Sequence, residues 1–471
     1  NGARVTVGVM LQRSFLIGAG VALCSVLIFL GVIALTLEIP RERIMQELRA
    51  GFVESSILPL NYPLPRDYWR LGRDQWTDCA ILQMALPGDA PFSQELVSPR
   101  RYRTTTIGDP SQGPCRLLQE VTDPTSSTSG LQTWRYHRYL HGATVLTRMA
   151  LWVTSVGRLR DAIKIAILGF GGFALAIAVW SLVSGYRRPA HALAATSLMA
   201  VFLACFGIAQ HAASISHGPP AALFVLALSL VPFWDQTRPL RLLILAALFG
   251  SATAILEFLD GGSPLGLALI LGMSALDSLD RTDSGRTTAG AAQIVQDGVS
   301  PAIAYGTAIV TALGLKIGLS RWVFGAEGSS SFFDQLLVWV GGSLWTVVDA
   351  ARALNKNIGV IVPLGDNAFR LLLVVLAGGC CFVLLKTIHH RGGAGIVFLS
   401  VSSLAVVPVW YVVFRNHTAV HAWFMVRMVA WPIAFSASLI VWWIVSGVTR
   451  HHIQSPVLNR PAMGSRAGVA S

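Results

Sequence analysis

The chain has 471 residues, 53% hydrophobic and only 13% charged, with a formal net charge of +12. A soluble domain carries a charged fraction of about 25%, whereas the apolar residues here fall into runs of roughly 18 to 25, the length that crosses a hydrocarbon core. Backbone polar groups in lipid must be satisfied within their own segment, so the runs are helices and the expected fold is an all-α integral membrane protein.

In chain order, residues 1–14 form a short basic segment in which those before Met10 read as an upstream extension. The run at 15–37 has no small-residue cleavage site and is expected to stay as the first span. Residues 38–161 form a domain-sized loop with fifteen Arg and no Lys. Its start places Ile39, Ile44, Leu48 and Phe52 at helical spacing, which predicts an amphipathic helix on the membrane surface. Cys79 and Cys115 both fall in this loop and form its one candidate disulfide if it lies outside. The other four cysteines lie inside apolar runs, and no metal-ligand spacing is present. Spans two to seven are expected at 162–184, 191–210, 219–235, 239–258, 264–277 and 299–318. The sixth is short and contains Gly and Pro, which predicts a broken or re-entrant helix. Residues 319–367 make a second loop, with Trp322, Phe332, Trp339 and Trp345 placed for interfacial anchoring. Three more spans, at 368–386, 394–414 and 422–447, bring the total to ten, and 448–471 form a tail, disordered from 455.

The basic residues of the short loops (Arg187, Arg188, Arg238, Arg241, Lys386, Arg391, Arg450) then share one side with Arg4 and Arg13, which makes that side cytoplasmic. Charges so placed orient spans and meet lipid headgroups, so the net positive charge does not indicate nucleic acid. The long loop faces outward despite its arginines, because segments beyond roughly 60 residues translocate regardless of charge. No internal repeat of the kind transporters use is evident.

Ionisable residues gather on the outer side. Arg73, Asp74 and Asp78 surround the start of a helix. Either carboxylate could act as general base toward a hydroxyl, or merely cap the helix. Arg135, Arg138 and Arg148 with His137 and His141 suit a phosphate or pyrophosphate, or simply lipid headgroups before the second span. The Gly142 beside His141 predicts a close backbone approach. Glu257 and Asp260 end the fifth span, where a deep carboxylate marks a site and a solvated helix end does not. Lys316 and Arg321 either join the site or snorkel to the interface. Asn416, His417 and His421 precede Arg427, an arginine inside the tenth span that needs an anionic partner.

At these residues the sequence resembles a group of bacterial polytopic membrane proteins associated with surface polysaccharide synthesis. The likeness lies in WTDCAIL with Asp78, in RYLHG from Arg138 to Gly142 with the following Arg148, in EFLDGGSP with Glu257, and in NHTAVHAWFMVR from Asn416 to Arg427. The family pattern has Asp where Glu257 stands, and threonines that are absent here. The layout also resembles GT-C glycosyltransferases, which use polyprenyl-phosphate sugars. That resemblance implies Asp78 as the base, with Asp74 as alternate and Glu38 in the position many members use. It implies that Arg73, Arg135, Arg138, His141, Arg148, Lys316, Arg321, Asn416, His417, His421 and Arg427 hold the donor phosphate as leaving group.

The expected activity is therefore an inverting sugar transfer from polyprenyl phosphate to a glycan, glycolipid or protein acceptor. It would take place on the outer face of the bacterial cytoplasmic membrane, with no metal or other cofactor implied. The rivals are a membrane acyltransferase, whose acyl-CoA supply would place essential residues on the cytoplasmic side, and a flippase, which would need a polar path through mid-membrane.

Overall fold

The computed structural model describes residues 7–104, 113–126, 131–137, 139–256, 261–283, 290–341, 346–358, 366–389 and 392–454. Arg138, Glu257, Asp260, Trp345, Arg391 and the tail 455–471 lie outside the described residues.

The chain is a multi-pass α-helical membrane protein, with eight described helices long and apolar enough to cross a membrane. Helix α1 (Val7–Leu37) leads into the segment 38–155, which holds α2 (Arg41–Val53), α3 (Gln75–Ala85), α4 (Pro114–Thr122) and α5 (Gly142–Val153). Next come α6 (Val156–Val183), α7 (Pro189–Cys205), α8 (Gly218–Leu228), α9 (Pro239–Leu256), α10 (Gly262–Asp283) and α11 (Ala291–Phe324). Then follow α12 (Ala326–Gly341), α13 (Val347–Asn357), α14 (Asp366–Ile388), α15 (Gly393–Val413) and α16 (Ala430–Gln454). The third and fourth expected spans coincide with α7 and α8, which at 17 and 11 residues are shorter than the eight.

The sixth expected span is corrected. Instead of a broken or re-entrant helix, α10 is continuous over 22 residues and is the most enclosed of the long helices. Asp277 and Asp280 made it look short, because carboxylates end an apolar run when sequence alone is read. Both are buried and neutralised: Arg187 Nη1 lies 3.1 Å from Asp277 and 3.7 Å from Asp280, and Arg281 Nε lies 3.1 Å from Asp277. The bundle centre is held partly by polar links. Trp431, fully buried, donates to Ser403 Oγ at 3.0 Å, and that hydroxyl donates to the Ala268 carbonyl at 2.8 Å. Helix α1 lies against α9 and α11; a Cβ built on Gly18 would sit 2.6 Å from the Ala304 carbonyl oxygen, so only glycine permits that approach.

Among the described residues this segment departs from the all-α expectation by one hairpin. Strand β1 (Arg100–Thr104) pairs antiparallel with β2 (Leu131–Arg135), which sets Arg100 opposite Arg135. Like charges directly opposite repel, and here Glu95 Oε1 bridges them at 3.1 and 2.9 Å. Cys79 of α3 and Cys115 of α4 are disulfide-bonded. The apolar face of α2 is covered by α4 and α5, with Ile44 and Leu48 fully buried. It therefore packs within the domain, and the sequence reading of a helix lying on lipid does not describe that face.

Candidate functional site

Asp74 is the N-cap of α3. Its Oδ1 accepts from the Thr77 backbone N–H at 3.1 Å and its Oδ2 from the Thr77 hydroxyl at 2.5 Å. The same Oδ2 lies 3.1 Å from His217 Nε2, so the capping carboxylate also faces a histidine from the turn between α7 and α8.

Asp78, one turn on, does different work. It is fully buried, and Arg160 Nη1 stands 2.6 Å from its Oδ2. Its Oδ1 accepts from Ser214 Oγ at 2.8 Å and from the Ser216 N–H and hydroxyl, each at 2.9 Å. Arg160 also donates to the carbonyls of Ser56 (3.1 Å), Leu71 (2.6 Å) and Ala213 (2.7 Å). The ion pair and three hydrogen bonds hold this carboxylate in place, three donors falling on Oδ1 and one on Oδ2. Asp78 ties α3, α6 and the 211–217 turn together, a structural role beside the one expected of it as base.

Most of the second predicted group is likewise engaged within the fold. Arg135 donates to Glu95, to the Ser98 carbonyl (2.8 Å) and to Gln94 Oε1 (3.3 Å). Arg148, almost wholly buried, holds the Ala85 and Met84 carbonyls that end α3, at 2.9 and 3.1 Å, and contacts Thr36 at 3.4 Å. Burial lowers its pKa to about 10, which leaves it charged at neutral pH. Lys316, also buried, donates to the Val97 carbonyl. Arg321 is exposed and faces Ser329. Arg135, Arg148 and Lys316 are thus engaged with neighbouring segments of the fold, and Arg321 stands apart from them.

His141 caps α5 in a left-handed conformation (φ 64°), with Nε2 2.8 Å from the Tyr136 carbonyl oxygen. The close approach expected at Gly142 is present: a Cβ there would stand 2.6 Å from the Ile255 carbonyl oxygen. Burial first, then the Lys316 ammonium, holds both His137 and His141 below the ordinary histidine range. Above about pH 6.5 neither state of the chain protonates them. Below it the unfolded chain takes up protons that the folded rings refuse, so each ring removes at most about 1.4 kcal/mol of stability per pH unit. Thermal midpoints should therefore fall as pH drops from about 7 to about 5. His141→Asn, which tolerates the left-handed backbone, should flatten that slope. An unchanged slope in the variant would refute the assignment.

A different set does come together. Arg73 lies with its guanidinium carbon 5.2 Å from the Trp423 ring centre, and its Nη2 3.4 Å from Asn357 Oδ1. His217 packs on Trp423 at 5.3 Å and on Phe424 at 4.9 Å between ring centres. His211 stacks on Trp423 at 5.8 Å and meets His217 at 5.9 Å. Beyond Phe424, His421 is 5.1 Å away and 4.6 Å from His417, and both abut Trp339. Asn416 donates to the Val338 carbonyl at 2.7 Å. Arg427 is buried with its guanidinium over Phe206 at 5.6 Å.

Two guanidinium groups, four imidazoles and two indoles thus gather at one end of the bundle, with Asp74 as the carboxylate. His211 is fully buried, and among the described residues neither ring nitrogen has a hydrogen-bond partner. Burial first, then Arg427, His217 and Arg73, holds it well below the usual range, so it faces the cluster as a neutral ring with one N–H to give. A buried unpaired donor beside two guanidinium groups is what an anion satisfies.

Arg73, Asp74, His417, His421 and Arg427 were singled out from sequence and are brought together. Arg160, His211, Ser214, Ser216, His217 and Trp423 were not. The available signal was the segment His211-Ala-Ala-Ser-Ile-Ser-His217, which puts two histidines and two serines directly after an apolar run. No protein-family model matches the chain, and no curated protein or solved structure does either. Among the described residues no group of His, Cys, Asp and Glu is arranged to hold a metal ion.

Proposed function

We propose that the protein is a membrane transferase of the glycosyltransferase type that binds a polyprenyl-phosphate sugar and passes the sugar to a cell-envelope acceptor. The observation that carries this reading is the cationic, aromatic cluster of Arg73, His211, Trp423 and Arg427 beside Asp74. Guanidinium groups take phosphate oxygens in pairs, and an aromatic wall suits a sugar ring or a prenyl unit. In an inverting displacement, Asp74 accepts the proton of the acceptor hydroxyl. That oxygen bonds to the anomeric carbon, and the polyprenyl phosphate leaves with the bonding pair onto Arg73 and Arg427.

Ten spans, counting α7 and α8, and a loop domain on the outer face of the cytoplasmic membrane complete the proposal. The Cys79–Cys115 bond supports that side, since disulfides persist in oxidising compartments. The same placement disfavours an acyl-CoA enzyme. About 22 Å along α10 from its start, at 1.5 Å per residue, Arg187 and Arg281 are paired with Asp277. That closure supports a transferase over a flippase.

The test is binding of polyprenyl phosphate to the protein in lipid nanodiscs. Arg427→Gln and the more accessible Arg73→Gln should each weaken it roughly tenfold or more, the range of a charge-assisted hydrogen bond. Unchanged affinity in both would overturn the phosphate site.

A further inference from the structure

An apolar groove of about 440 Å³ runs between α10, α11 and α15. Its walls include Leu267, Ile309, Val310, Val406, Val409 and Trp410, and almost no polar atom lines it. That volume falls within the roughly 300–1,000 Å³ of small-molecule sites. Val310 and Val409 are more than half exposed, so the groove opens sideways toward the surroundings of the bundle.

Its end at Ser263 and Phe414 lies beside the chain segment that carries Arg427. Tyr411, next to Trp410, donates to the Met425 carbonyl at 2.7 Å, two residues before Arg427. Gly261 (φ +87°) leads into Ser263 and Pro264 of the groove, and a Cβ on it would stand 2.8 Å from Met428 Sδ, the residue after Arg427. Phe414 stacks on Trp410 at 4.0 Å and closes the groove immediately before Arg415. The α10 N-terminus adds its partial positive charge at the same rim. An apolar slot whose one polar end is positive matches an amphiphile with a single anionic head.

We infer that this groove holds the isoprenoid chain of the polyprenyl phosphate, with the phosphate seated at Arg427. The inference rests on the phosphate reading above and adds a place for the chain. A slot bounded by three helices takes one chain, which fits a single-chain carrier better than a two-chain phospholipid.

The test uses a polyprenyl phosphate carrying a photoreactive diazirine in its chain, bound to the intact protein and mapped by mass spectrometry. Gly306 lines the groove, and a Cβ there meets nothing within 4 Å. Gly306→Phe should therefore fill the groove without disturbing the fold. Gly314, on the same helix and equally open, gives Gly314→Phe as a control. Labelling should fall on α10, α11 and α15, drop about tenfold in Gly306→Phe and persist in Gly314→Phe. Label on other helices that unlabelled polyprenyl phosphate still displaces would overturn the groove and leave the phosphate site standing. No displaceable label anywhere would overturn both. Equal labelling by a diacyl phospholipid with the same diazirine would show an ordinary lipid slot and overturn the groove.

Discussion

Arg160→Met should cost the protein most of its folded population. The substitution leaves the fully buried Asp78 facing Ser214 and Ser216 with no countercharge. Removing one partner of a buried pair destabilises by about 3–5 kcal/mol, a large part of a typical folding free energy. The three carbonyls that Arg160 holds lose a donor as well. Asp78→Leu alone should be comparably damaging, because it strands the guanidinium. The double variant should recover at least half of the summed loss, since an apolar replacement of a buried pair is often neutral. Monodisperse yield and thermal midpoint in detergent read the outcome. If both single variants fold as the parent does, the pair is not a structural tie. A double variant that folds and still transfers sugar would also remove Asp78 from the chemistry.

Asp74→Asn should leave folding nearly unchanged and abolish most transfer. Asparagine caps helices as well as aspartate does, so the bond to the Thr77 N–H survives while the ability to take a proton does not. A positioned general base contributes about 10²–10⁴-fold to rate. A fall of that size is expected in sugar transfer, with polyprenyl phosphate affinity altered less than about threefold. Full activity in Asp74→Asn would end the assignment of Asp74 as base. Loss of binding together with rate would instead give it a part in seating the donor, through His217.

The long apolar helices were legible because hydrophobic length is a local property. Where the reading failed, distant residues intervened. Asp277 ends an apolar run on paper, yet Arg187, ninety positions away, lets it stay inside the bundle. Asp74 and Asp78 look equivalent in sequence, four apart on one helix. Only the packing of Arg160 and the 211–217 turn separates the carboxylate paired with an arginine from the one that caps the helix. The arginines near 135–148 suggested phosphate by composition alone, but Arg135 and Arg148 are used on Glu95 and on the end of α3. Gly142 was readable for the opposite reason: a glycine beside a bulky ring signals missing space, and Ile255 takes that space. His211 and His217 sit at the edge of a hydrophobic run, where histidine carries no periodic signature.

The Asp78–Arg160 pair has one more consequence, for how the molecule divides. Arg160 belongs to the first turns of α6, and the serines that complete the shell lie beyond α7. A boundary at residue 161 would cut between that arginine's segment and Ser214 and Ser216. The loop segment is therefore not a detachable module with a membrane anchor. It finishes its own interior with residues from the helical bundle, so the two parts must mature together.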